Sequence, residues 1–229
     1  MDVRSAAVVD RFALWVYGVL DSDAPGPARG QGVDGQPVEI VRADGFAALV
    51  SRVPCPRFDT HVLCRSLQER RTFEALVRAH QDVLREALAL GAVVPFGFAT
   101  VLENEAALRA LLKRDRARLT EGLARLRGMS EWSLKAYSDE HRGGPLVDAL
   151  HERLASTTTG AARLPSAERC VALHAAYLVT EAEATVFAGL VWRLAREHDA
   201  DGISLELTGP WPAFHFSQAP ATACLTGER

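Results

Sequence analysis

Seven histidines are the first place to look for chemistry in this chain of 229 residues, because imidazole ligates metals readily and titrates near neutrality. His80 stands out among them. It falls on the apolar stripe of a helical segment, Thr72–Leu90, where a metal ligand or general base could be sheltered from water. No second histidine follows at i+4 to share a metal. The competing account, and the favoured one, is a partly buried imidazole bonded to a backbone carbonyl or a carboxylate. His141, His151, His174, His198 and His215 show no metal-ligand spacing. Asp139 and Glu140 are adjacent beside a turn and should point apart, so they read as solvated loop charges. Cys55, Cys64, Cys170 and Cys224 contain no CxxC pair. That spacing fits neither a zinc site nor a disulfide framework, and reduced thiols are the simplest reading. No metal or cofactor is expected.

The catalytic signatures are missing too: there is no GxSxG elbow, no HExxH, no P-loop and no GxGxxG. Gly30-Gln31-Gly32 has no strand–helix context around it and is not a dinucleotide fingerprint. What remains is chemistry suited to docking. Lys113, Arg114, Arg116, Arg118, Arg125 and Arg127 cluster against Asp115 and Glu121. The cluster is either a face for an acidic partner or the wet side of an amphipathic helix. Trp211 sits between two prolines in Gly209-Pro210-Trp211-Pro212, either plugging the core at a strand corner or exposed as an interface anchor. Trp211, Arg114, Arg118 and Arg125 are therefore the candidate protein-binding residues.

The elements that must position them follow from periodicity. Phe12–Leu20 is rich in aromatic and β-branched residues and predicts a buried strand. Asp21–Pro37, dense in glycine and proline, is a loop. Val38–Val41 and Phe46–Val53 are short strands across an Asp44-Gly45 hairpin turn. Helical spacing places Phe73, Leu76, Val77, Val83, Leu84, Ala87 and Leu88 on one face, and Gly91 ends that helix. Val93–Leu102 predicts a strand, and Glu103–Leu126 a second long helix that Gly122 weakens without stopping.

A boundary is drawn at Gly128. Glu131–Tyr137 opens a second unit as a strand, and a turn at His141–Pro145 starts a helix. Thr157–Pro165 is a polar loop. Ala175–Val179 is a strand, Glu181–Glu197 a helix, Ile203–Leu207 a strand, and Trp211–Phe216 a last strand after a Gly209-Pro210 turn. The expected fold class is α+β in two domains. Residues 1–128 form a mixed sheet covered by two long helices, 129–216 a modified ferredoxin-like fold, and 217–229 a disordered tail.

Composition fits this picture, with 48% hydrophobic and 24% charged residues. A formal charge of −3 lacks the basic excess expected of a nucleic-acid binder. No apolar run approaches the roughly 18 residues of a membrane span. The opening Met1–Ser5 has no signal-peptide order, so a cytoplasmic location is expected.

Six segments in order resemble the GvpF/GvpL family of gas vesicle accessory proteins: LWVYGVL (Leu14–Leu20), DGFAALVSRVP (Asp44–Pro54), ALVRAHQDVL (Ala75–Leu84), VVPFGFATV (Val93–Val101), EWSLK (Glu131–Lys135) and LTGPWPAFHF (Leu207–Phe216). Together they cover nearly all of the chain apart from its ends. The resemblance implies a two-domain α+β fold with a ferredoxin-like C-terminal part. It also implies a non-enzymatic role in building gas vesicles, through contact with the small shell protein and other accessory proteins. The sequence departs from the family pattern at Gly97, where arginine is usual, and at Ala99, where glycine is usual. Ala213 replaces a proline and Phe214 a tyrosine.

The expected function is therefore a chaperone-like or nucleating adaptor, cytoplasmic and associated with gas vesicles. The alternative is a small-molecule or haem-binding enzyme with two ferredoxin-like units and His80 as ligand. An RNA-binding fold lacks the aromatic patterns it would need.

Overall fold

The computed structural model describes residues 12–26, 30–58, 63, 65, 67–138 and 144–217. Its architecture is α+β, with two antiparallel sheets and five helices longer than a single turn. By contact density the chain divides into two compact units. One comprises the chain up to Leu90 with Phe96–Leu119, and the other Gly91–Pro95 with Thr120–Ala219.

In the first unit, β1 (Phe12–Asp21) is buried on both faces from Ala13 to Leu20, which is why its sequence is a continuous apolar run and not an alternation. It pairs with β3 (Phe46–Pro54), which pairs in turn with β2 (Glu39–Ala43). The β2–β3 turn places Asp44 at φ 52° and Gly45 at φ 87°, the doubly left-handed geometry that favours Asp-Gly in hairpins. The β1–β3 register slips between Val16 and Gly18, so Tyr17 occupies a bulge. Every ladder among the described residues is antiparallel, where a mixed sheet is expected from sequence.

The helix α1 (Arg70–Ala87) buries Leu76, His80, Val83, Leu84 and Ala87 at helical spacing. It tightens into a 3-10 turn, Leu88–Leu90, and Gly91 follows at φ 134°. The expected strand Val93–Leu102 exists only as two short pieces, β4 (Val94–Pro95) and β5 (Val101–Leu102). Between them Thr100 folds back, its N–H and hydroxyl both donating to the Gly97 carbonyl at 3.2 and 2.7 Å, and Ala99 takes φ 62°.

The expected single helix Glu103–Leu126 is two: α2 (Glu105–Arg114) and α3 (Arg116–Leu126). Asn104 caps the first, its side chain accepting from the Ala107 N–H at 2.9 Å. Asp115 interrupts the run at φ −97° and ψ 13°, with its carboxylate held by Arg114 at 2.8 Å. Aspartate gains little from a helix interior and competes with it through local hydrogen bonds, so the break falls there.

The second unit runs β6 (Met129–Ser138), α4 (Gly144–Ala155), β7 (Gly160–Arg163), β8 (Val171–Thr180), α5 (Ala184–Glu197) and β9 (Ile203–Trp211). The sheet order is β7-β8-β6-β9, antiparallel throughout. Leu134 and Ala136 of β6 with Leu173, Ala175, Tyr177 and Val179 of β8 present one face. Onto it pack Val147, Leu150 and Leu154 of α4 and Phe187, Val191 and Leu194 of α5.

Three expectations change here. The polar stretch Thr157–Pro165 contains β7, an edge strand of small residues that propensity does not reveal. Gly209-Pro210 is no turn. β9 runs through it to Trp211, the register against β6 slipping between Glu131 and Ser133, so the pair forms a bulge on an edge strand, where a proline is tolerated. The expected strand Trp211–Phe216 is replaced by turns from Phe214 onward. The turn residues His141–Gly143, the pair Asp139-Glu140, Cys64, Cys224 and the tail beyond Ser217 lie outside the described residues.

Candidate functional site

The terminal motif acquires its shape from β6. Glu131, only 3% exposed, lies opposite Trp211 in the β6–β9 ladder. Its carboxylate accepts from the His215 backbone N–H at 2.8 Å and is 2.6 Å from His215 Nδ1. That partnership pushes the His215 pKa up, the hydrogen bond outweighing partial burial. One residue on, the Phe216 carbonyl accepts from the Arg125 guanidinium of α3. The Phe216 ring lies over Gly160 of β7, where a Cβ would come within 3.1 Å of it. Residues 212–217 therefore run as a strap from β9, past the start of β6, to β7, touching both edge strands of the sheet.

Trp211 at the head of this strap is partly exposed, and its indole N–H reaches Thr208 Oγ1 at 3.3 Å. The next residue in β6, Trp132, packs edge-on to Phe187 at 6.5 Å and also lies against Gly209, where a Cβ would meet its ring at 3.1 Å. Further along β6, Lys135 pairs with Glu168 at 2.8 Å, and the Tyr137 hydroxyl donates to Glu206 at 2.5 Å.

The arginines are distributed over two helices. Arg114 ends α2 and is paired with Asp115, while Arg118 and Arg125 belong to α3, seven residues apart and hence on one side of that helix. The break at Asp115 separates Arg114 from the other two in the helical phase. Arg125 reaches the terminal strap through the Phe216 carbonyl.

His80 is 2% exposed in the first unit. Its Nδ1 accepts from the Trp15 indole N–H at 3.0 Å, and its ring packs against Tyr17 and Phe98. Burial lowers its pKa to about 4, with the Phe96 backbone opposing only in part. Nε2 is buried without a well-formed hydrogen bond among the described residues. An imidazole neutral at pH 7 and wedged among aromatic rings is poorly placed for proton transfer. A cavity of about 170 Å³ nearby is lined by Val38, Leu49, Val83, Glu86, Ala87 and Leu90, and His80 is not among its lining residues. Among the described residues no group of three His, Cys, Asp or Glu side chains could hold a metal.

Beside His80 the Tyr17 hydroxyl accepts from the Val33 N–H at 2.9 Å and lies 2.8 Å from Ser51 Oγ, which donates to the Pro37 carbonyl at 2.9 Å. Gly32 touches this network so closely that a Cβ would sit 2.0 Å from the Tyr17 hydroxyl. Gly32 thus serves packing of the loop on β1.

These motifs, each at its own structural junction, coincide with a known family. The profile of the gas vesicle synthesis proteins GvpL/GvpF matches residues 13–144 and 140–218. The chain belongs to that family. Gas vesicle protein L of a Streptomyces species is 25% identical over 248 residues, spanning 89% of this chain and 92% of that protein. Gas vesicle protein F2 of Halobacterium salinarum is 24% identical over 211 residues, spanning 89% and 91%. Gas vesicle protein F of the Streptomyces species is 32% identical over 132 residues, but these span only 56% of this chain and half, 50%, of that protein.

The crystal structure of GvpF from Anabaena covers 92% of this chain and 98% of its own at a TM-score of 0.76 with 19% identity. That of GvpF from Microcystis aeruginosa covers 90% and 99% at 0.73 with 18% identity. The fold is shared although fewer than one residue in five is. As a GvpL/GvpF member the protein is a gas vesicle accessory protein. No helix among the described residues is long and apolar enough to cross a membrane.

Sequence reasoning found the terminal motif and β6 separately but missed their union through Glu131 and His215. Local pattern could not reveal it: Leu134 and Ala136 mark the core-facing side of β6, and Glu131 falls on the alternate positions, yet it is buried. Sequence reasoning also passed over Trp192, a large aromatic on the outer side of α5.

Proposed function

We propose that this GvpL/GvpF protein acts by binding other proteins during gas vesicle assembly, as a chaperone-like or nucleating adaptor for the small shell protein and its fellow accessory proteins. The observation that carries the reading is the family match across residues 13–218. The physical argument comes from the client. A shell subunit bound for an apolar-lined wall has exposed strands that can pair wrongly before assembly. The edge strand β9 could receive such a strand over Ile203–Thr208, before Pro210 interrupts its row of N–H groups. Trp211 would anchor the partner, with Arg114, Arg118 and Arg125 steering an acidic one.

In this reading the protein is cytoplasmic, gathers at growing vesicles, and uses no cofactor. The chain works as two domains, 1–128 and 129–216. The β-α-β-β-α-β order of the second supports a ferredoxin-like assignment. His80 is taken as a structural residue, not a haem or metal ligand, because Nδ1 accepts from Trp15 and the ring is buried among Trp15, Tyr17 and Phe98.

The test is co-expression with the shell protein, followed by affinity capture and a solubility assay. The shell protein should be retained and kept soluble, and Trp211→Ala or Arg118→Glu should weaken retention. Unchanged shell-protein solubility, with nothing captured even when the other accessory proteins are present, sinks the adaptor reading.

A further inference from the structure

The outer face of α5 keeps apolar surface in water. Trp192 is 64% exposed and Val186 72% exposed, on a helix whose inner side chains Phe187, Val191 and Leu194 are already committed to the core. Val186, Gly189, Trp192, Arg193 and Arg196 follow helical spacing and share one side of it. Gly189 leaves a notch between the two exposed apolar residues, since a Cβ there would meet nothing within 4 Å. The Arg196 guanidinium lies over the Trp192 ring, 5.1 Å from its centroid, so a positive charge sits against one face of the indole.

Beside Trp192 the free charge of α5 is positive, since Glu197 is engaged by Arg153 at 3.4 Å. Glu183 keeps its charge but stands at the N-cap of the helix, nine residues before Trp192. Arg193 and Arg196 make no ion pair among the described residues. An exposed tryptophan flanked by unpaired arginines is the composition that concentrates binding energy at protein interfaces.

We propose that this face of α5 docks an acidic amphipathic helix of a protein partner. An apolar side chain of that helix enters the notch at Gly189 against Trp192 and Val186. Two of its carboxylates, three or four residues apart, meet Arg193 and Arg196. The proposal rests on the reading that the protein works by binding protein, and it specifies one surface and one partner chemistry.

Two other occupants fit less well. A second copy docking through the same face would bring its own Arg193 and Arg196 against this pair, and like charges in a twofold interface repel. A membrane surface calls for a broad apolar face, but most of the apolar residues of α5 already point inward.

The test uses the full chain and a fluorescent helical peptide bearing a leucine stripe flanked by glutamates, with a lysine-for-glutamate counterpart. The glutamate peptide should bind, and raised salt should weaken it. Trp192→Ala should lower affinity roughly tenfold or more. The double variant Arg193→Glu, Arg196→Glu should reverse the preference to the lysine peptide. All three positions are exposed, so melting temperatures should stay at the parental value and confirm that folding is intact.

Absent binding, or binding that these substitutions leave unchanged, overturns the proposal. A dimer abolished by Trp192→Ala overturns it in favour of a second copy, and retention on anionic lipid vesicles in favour of a membrane. Shell-protein capture measured in parallel judges the broader reading separately. Capture that persists while the peptide fails condemns the α5 face alone. A wild-type protein that binds the peptide but captures neither shell nor accessory proteins supports the face and condemns the adaptor role.

Discussion

Glu131 and His215, 84 residues apart, hold each other through both a backbone and a side-chain contact, 2.8 Å from His215 N–H to Oε2 and 2.6 Å from Nδ1 to Oε1. A buried carboxylate is tolerable in a sheet only with such partners. Two motifs that look independent along the chain are therefore halves of one contact.

Glu131→Gln should cost about 1–3 kcal/mol, since it weakens charge-assisted bonds in a buried setting. The pH dependence has a definite sign. The folded-state pKa of His215 is raised, so its contribution is full below the unfolded value and fades as pH rises through the folded value. The stability gap between wild type and His215→Asn should narrow as the pH rises above the ordinary histidine value of about 6.5. Denaturant melts on either side of that value provide the check, and a gap that widens would contradict the pairing.

His80 acts in the opposite direction. With its pKa lowered to about 4, the folded state resists protonation that the unfolded chain accepts. Stability should fall as pH drops from about 6.5 towards 4, by on the order of 3 kcal/mol. His80→Gln is neutral throughout and should flatten that acid slope while costing stability at pH 7. Parallel acid titrations of the two proteins decide it, equal slopes assigning the loss to other groups.

Ala99 occupies a left-handed conformation, φ 62°, where the family pattern has glycine. Relief of strain by Ala99→Gly is worth about 1–2 kcal/mol. Against this stand the greater freedom of the unfolded glycine chain, about 0.4–1 kcal/mol, and the loss of a buried methyl, about 0.8 kcal/mol. The terms nearly cancel, so the substitution should be close to neutral. Ala99→Val, β-branched in the same conformation, should lose about 2 kcal/mol or more. Thermal melts of the pair measure the difference.

Gly32→Ala should be the most damaging single methyl in the first unit. Its Cβ would stand 2.0 Å from the Tyr17 hydroxyl and 2.6 Å from Ser51 Oγ, so the buried trio must separate. Leaving those hydroxyls unpaired costs about 1–3 kcal/mol each. Gly32→Ala with Tyr17→Phe should recover part of the loss, and a double variant no better than the single one would refute the steric account.

Much of this was legible in the sequence, where one local signal dominated. The apolar run of β1, the Asp44-Gly45 hairpin and the stripe of α1 each speak through their own residues. The rest depended on partners distant in the chain. β7 is a strand because Gly160 and its small neighbours fit beside β8, not because glycine and alanine prefer extended backbone. Asp115 breaks a helix whose leucine periodicity runs through it almost undisturbed. Gly209-Pro210 spells a turn locally, yet the ladder to β6 absorbs it as a bulge. Of the candidate site residues, Trp211 and Arg125 were visible by type, but their relation to the strap could not be read without the fold. Trp192 was missed because outward-facing residues leave no mark on a pattern used to find the core.

The strap at residues 212–217 also has a mechanical meaning. An edge strand pulled from its free end ordinarily peels away one hydrogen bond at a time, under little force. Here a pull on the chain beyond Ser217 is met first by Phe216 over Gly160, by the Arg125 grip on the Phe216 carbonyl, and by the Glu131 clasp on His215. Tension is shared among β7, α3 and β6 before it reaches β9, so the sheet must shear where it would otherwise unzip.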